Sequence, residues 1–176
     1  MFRKNRIGKK AFGFSLVLAL MVFTGCTLEE GTSLGGIWLG GTWSTQYDRF
    51  IIDMEELELV NEYYDGDGGW DVAYSGDIIG ISMFDPTATA GVIFIFYDQK
   101  PIDWDTQAPP AENIIGIYFR NLTSTTGQFA SPVEEDDDEN IVTPAKASLA
   151  EAKAAFTKDE MDDYIRFGWV TYQKQK

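Results

Sequence analysis

The sequence predicts a mainly β, antiparallel barrel with a short C-terminal helical segment before its last strand. Three observations predict it. Short runs of β-branched and aromatic residues alternate with Gly, Pro, Asp and Asn turn signals from residue 41 onward. One run, Gly91 to Tyr97, is apolar on both faces, as a central strand is. Two helix-start signatures then stand close together near the end of the chain.

Gly36-Ile37-Trp38-Leu39-Gly40-Gly41-Thr42-Trp43 opens the domain and reads Gly-x-Trp twice. Arg49 to Asp53 reads as one strand. Glu56-Leu57-Glu58-Leu59 runs on through Tyr63, with acids on one face and leucines on the other. Asp65-Gly66-Asp67-Gly68-Gly69 is a strong turn, because positive φ is cheap there. Val72 to Phe84 is a long strand in which Gly76 and Gly80 permit a bend or bulge, and Asp85-Pro86 ends it. Lys100 to Glu112 holds Trp104 and three prolines and reads as a long loop. Asn113 to Leu122 is a further strand, which Thr123 to Ala130 continues or pairs with.

Glu134 to Glu139 is a like-charge block within an acidic loop over 134–140, expected to be extended and mobile. It interrupts the domain without dividing it, since the stretch that follows is too short to fold alone. Ser148-Leu149-Ala150-Glu151 is a capping box, and Thr157-Lys158-Asp159-Glu160 is a second. Phe156 and Met161 flank the second at the positions of a hydrophobic staple. One broken helix or two short ones over Leu149 to Tyr164 follow from this spacing. Ile165 to Tyr172 alternates and reads as the closing strand. No repeat of solenoid length is present.

Composition excludes several chemistries. The chain has 176 residues, 28 acids, 14 Lys and Arg, no histidine and one cysteine. Without histidine there is no imidazole base, no Ser-His-Asp triad and no His-ligated metal. One cysteine forms neither an internal disulfide nor a zinc cage. A net charge of −14 argues against a nucleic-acid backbone as partner. No cofactor is expected, and the balance of residues points away from an enzyme.

Five cations, Arg3, Lys4, Arg6, Lys9 and Lys10, precede the apolar run Ala11 to Phe23, which Thr24-Gly25-Cys26 follows. That is a charged start, a core of 13 residues and a small-residue cleavage site, too short to span a bilayer at about 20 residues. With Cys26 directly after Gly25, the segment resembles a bacterial lipobox, although Phe23 stands where Leu is usual. The resemblance implies a signal peptide over 1–25, acylation of Cys26, a tether over 26–35 and one domain over 36–176. Two or three acyl chains would hold it to a membrane. Thr27, in place of the Asp that signals inner-membrane retention, implies an outer-membrane anchor on the periplasmic or the surface face. The segment before Cys26 carries five of the 14 cations and no acid, so nine cations remain against 28 acids, a charge of −19. Anionic lipid repels such a body, which leaves attachment to the acyl groups.

The many short strands, the Gly-x-Trp at Gly41 and Trp43, and the late helix before a last strand resemble the calycin or lipocalin-like barrels. The resemblance implies that Trp43 plugs one barrel end beneath a basic side chain from a late strand, with Arg166 as the candidate. The chain is also similar to a group of uncharacterised bacterial lipoproteins. Tyr74-Ser75-Gly76-Asp77-Ile78, Ala90-Gly91-Val92-Ile93, Tyr118 to Thr126, Ser148 to Ala152 and Phe156-Thr157 carry that similarity. It supplies no activity.

Asp65 to Asp71 begins like a Ca²⁺ loop but has Gly69, Trp70 and Gly76 where acids or the invariant glycine belong, so a hairpin turn accounts for it better. Asp103 and Asp105 pair as hydrolytic carboxylates do, yet a solvated loop is the simpler reading. Thr123 to Thr126 offers hydroxyls without a base.

The aromatic residues, 5 Trp, 8 Tyr and 12 Phe, fill the barrel or line a pocket. The leading expectation is a barrel that binds a small apolar or amphipathic ligand, lined by Phe94, Phe96, Ile115 and Ile117. The alternative is a solid-cored structural or adhesive module that contacts a partner through aromatic turns, with Trp38, Trp70 and Trp104 as candidates.

Overall fold

The computed structural model describes residues 39–99, 113–135, 141–165 and 167–176. Eight antiparallel strands close into a barrel. They are β1 (Gly41–Ser44), β2 (Asp48–Asp53), β3 (Glu58–Tyr64), β4 (Trp70–Met83), β5 (Gly91–Gln99), β6 (Ile114–Arg120), β7 (Thr126–Ala130) and, after two short elements, β10 (Val170–Lys174). The order around the barrel is β1-β10-β7-β6-β5-β4-β3-β2, so every strand but the last pairs with its sequence neighbour. β10 inserts between β7 and β1 and seals the sheet, which leaves no open edge. This mainly β barrel, with its short helical segment before the last strand, is consistent with a calycin-like architecture.

Local chemistry explains the hairpins. At the β3–β4 turn one carboxylate oxygen of Asp65 accepts hydrogen bonds from the backbone N–H groups of Asp67 (2.8 Å) and Gly69 (3.0 Å). That is an Asx turn, so the alternating acids serve the backbone. At the β6–β7 turn the Thr123 hydroxyl accepts from the N–H of Thr126 at 2.9 Å, and Thr123 N–H bonds the Thr126 carbonyl. The Thr-Ser-Thr-Thr run is therefore turn chemistry, and Thr126 to Ala130 pairs with β6 without continuing it.

β4 is irregular at the two glycines the sequence singled out. Its pairing with β5 shifts between Ser75 and Gly76 and again between Ile78 and Gly80. The second shift inserts one residue and changes which side chains face inward. Ile78 packs in the interior, whereas Ile79 packs outside and Ile81 again inside.

Two apolar layers result. The interior takes residues from all eight strands, among them Trp43, Phe50, Leu59, Tyr74, Ile93, Ile117, Phe129 and Tyr172. The second layer lies on the outer face of β5 and β6, where Val92, Phe94, Ile114 and Tyr118 pack beneath α1 (Leu149–Ala155) and α2 (Met161–Tyr164). This explains why β5 is apolar on both faces. Ser148 caps α1 by accepting from Glu151 N–H, and Phe156, at the helix end, is buried against Ala152 and Tyr118.

One expectation is corrected here. The closing strand is Val170–Lys174, not Ile165 to Tyr172. Ile165 and Trp169 pack on the outer layer, Phe167 is 74% exposed, and the chain turns at Gly168, with φ of 80°, before it can enter the sheet. At the start of the acidic block β8 (Glu134–Glu135) pairs with β9 (Ile141–Val142) in a separate two-stranded ladder. Residues 136–140 lie outside the described residues, as do 1–38 with Cys26 and Trp38, 100–112 with Trp104, Asp103 and Asp105, and position 166.

Candidate functional site

The interior and the two barrel ends are the places where a function can reside. An eight-stranded closed barrel is an architecture able to hold one small ligand. Among the described residues, side chains fill much of that space. Phe50, Phe129 and Tyr172 form a triangle with ring centroids 5.3 to 5.5 Å apart, and Trp43 extends it at 5.4 Å from Phe129. Ile93, Ile95, Ile115, Ile117, Phe119 and Phe129 expose no surface, so no space the size of a water molecule borders any of them.

Of the four side chains expected to line a pocket, two face that interior and two do not. Ile115 and Ile117 are inside, opposite Ile95 and Ile93. Phe94 lies on the outer face, buried beneath the helical segment, and Phe96 is on the same face at 40% exposure. The four therefore do not line one cavity. Side chains alternate along a strand, and the β5–β6 register sets Phe94 against Gly116 on the outside.

Trp43 belongs to the interior cluster. It is wholly buried, and its indole N–H donates to the Leu39 carbonyl at 2.6 Å. Gly41, with φ of 119°, lies under the Lys174 side chain, whose ammonium sits 5.0 Å from the Trp43 ring centroid. The basic group over the Trp43 ring is thus Lys174 of β10, while position 166 is not among the described residues.

A polar group spans the interior nearer the β1–β2 and β3–β4 turns. Asn61 donates from Nδ2 to Asp48 Oδ1 at 2.7 Å and to the Arg49 carbonyl at 3.2 Å, and the Tyr172 hydroxyl donates to the other Asp48 oxygen. The Tyr74 hydroxyl bonds Ser131 Oγ at 2.7 Å. Burial lifts the Asp48 carboxyl above its usual range, against the pull of these donors and of the Arg49 N–H. Burial likewise raises the Tyr172 and Tyr74 hydroxyls far above theirs. Among the described residues no buried side-chain polar atom lacks a partner, so the network is complete as it stands.

Among the described residues, the same turns carry a group of three exposed tyrosines. Tyr47, in the β1–β2 turn, is 66% exposed, and Tyr63 and Tyr64 at the end of β3 are 38% and 39% exposed. Tyr64 N–H bonds the Tyr47 carbonyl at 2.8 Å, and Tyr64 lies opposite Trp70 with their rings edge to face at 5.7 Å. The Arg49 guanidinium lies over Trp70 at 4.4 Å and pairs with Glu62 on the neighbouring strand. Of the three tryptophans expected in a contact surface, only Trp70 falls among the described residues. The three tyrosines and Asp48 were not singled out by the sequence, because a tyrosine at a strand end reads the same whether it points in or out.

Among the described residues no group of three or more acidic or cysteine side chains is placed to hold a metal ion, and no helix is long and apolar enough to cross a membrane. Compared with protein-family models, curated proteins and solved structures, the chain matches none.

Proposed function

We propose that this chain is a lipid-anchored, non-enzymatic surface module that contacts a partner through the aromatic turns at one end of a solid-cored barrel. One contrast carries the reading. Rings that ligand-binding barrels leave facing a cavity are packed against one another here, while Tyr47, Tyr63 and Tyr64 stay exposed on adjacent turns. Large aromatics supply contact area at low entropic cost, and they are enriched where partners meet. The lipobox-like segment ending at Cys26 supports attachment to the outer membrane, with the domain carried on a short tether.

The test places a photo-cross-linking residue at position 47 of the full chain on intact cells. A discrete adduct is expected from position 47 and none from position 171, which is equally exposed but lies on β10. Native mass spectrometry that shows a stoichiometric small molecule, together with no adduct from position 47, would overturn the reading in favour of a ligand carrier.

A further inference from the structure

We infer that the partner segment seated on these turns is a Lys- or Arg-bearing stretch of polypeptide, held by the rings of Tyr47, Tyr63, Tyr64 and Trp70 and by the carboxylates around them. This rests on the partner-contact reading above and names the chemistry that the patch selects.

Charge is the first argument. The two hairpin turns and the strand ends beside them carry Glu62, Asp65, Asp67 and Asp71 on their surface against a single base, Arg49. Arg49 is already neutralised by Glu62, and Asp67 and Asp71 are exposed. An anionic partner meets repulsion from this end, and a neutral one leaves its carboxylates without a counter-charge.

The second argument is that the patch already shows the binding mode. Arg49 lies flat over Trp70 at 4.4 Å while Glu62 takes its guanidinium N–H, and Tyr64 holds the indole from the edge. Ring face and carboxylate act together on one cation. Tyr47 and Tyr63 stay exposed beside this arrangement, and the carboxylates of Asp67 and Asp71 are exposed on the neighbouring turn and strand. A cation over an exposed aromatic ring gains about 0.5–1 kcal/mol, and a nearby carboxylate adds to it.

The test uses the full chain in neutral detergent and three synthetic probes: (Arg-Gly)₅, (Lys-Gly)₅ and the neutral (Gln-Gly)₅. A neutral oligosaccharide serves as a fourth. Both cationic peptides are expected to bind, the arginine peptide more tightly because its planar guanidinium stacks, and (Gln-Gly)₅ and the sugar not to bind. Tyr47→Ser with Tyr63→Ser should raise Kd about tenfold with an unchanged melting temperature, the equivalent of two ring contacts. Asp67→Asn with Asp71→Asn should weaken binding and flatten its salt dependence. Equal binding of cationic peptides by the tyrosine variant would overturn the inference, since it reports only the diffuse negative charge of the domain. Binding of the oligosaccharide alone, or of no probe while position 47 still cross-links, would overturn it and leave the partner reading standing. Loss of the adduct itself strikes the partner reading.

Discussion

Asp48 shows how much one buried carboxyl decides. It accepts from Tyr172, Asn61 and its neighbour's N–H, yet desolvation outweighs these donors and lifts its pKa. The folded chain therefore holds this proton more tightly than the unfolded one does. The favourable contribution is complete below the ordinary carboxylate pKa and fades as pH rises through the folded value. Asp48→Asn should melt higher than the parent near pH 7, with the difference shrinking toward about pH 4. Calorimetry of both proteins across that range checks it, and a constant difference would count against the assignment. At this scale the sequence was legible at the Asp65 turn, whose chemistry is confined to five residues, and not at Thr123, whose run reads as strand until its hydroxyl is seen to accept from Thr126 N–H. Asp48 was not legible, because its partners Asn61 and Tyr172 come from β3 and β10 and only closure brings them inward.

The helical segment makes the same point for elements. α1 has seven residues, too few to persist alone in water, so tertiary contact stabilises it. Its capping box predicted its first residue well, since Ser148 and Glu151 act within one turn. What it covers was hidden: nothing local to β5 says that Phe94 faces out toward Phe156 and Ile93 in toward Ile117. Gly116 makes the contact possible, since a methyl group there would stand 2.9 Å from the Phe156 ring. Phe156→Ala should cost about 3–5 kcal/mol in urea unfolding. It should also raise binding of a hydrophobic dye, as Phe94 and Tyr118 lose their cover. Unaltered dye binding would mean that the helical segment is not what shields this face.

For the whole molecule, the class of fold was readable and its wiring was not. Strand count and turn spacing imply an antiparallel barrel, whereas the closing register, Trp43 against Lys174, joins residues 131 positions apart. The misplaced closing strand comes from that gap. The proposed membrane attachment is a whole-molecule property that would rest on Cys26. Cys26→Ser should remove the acyl mass and shift the chain to the soluble fraction, leaving the barrel's melting unchanged. Fractionation identical to the parent's, with no acyl group on the parent, would sink the anchoring proposal.

The seam itself has a mechanical consequence. β1 meets β10 through only two register pairs, Trp43 with Lys174 and Ser44 with Gln173, the shortest ladder in the barrel. Among the described residues β1 is also the strand nearest the amino terminus. Were the domain tethered there as proposed, tension would bear first on this short ladder. Rupture under load is governed by the unfolding rate, not by equilibrium stability. In a domain tethered as proposed above, Trp43 and the lysine above its ring would act as the clasp at this seam.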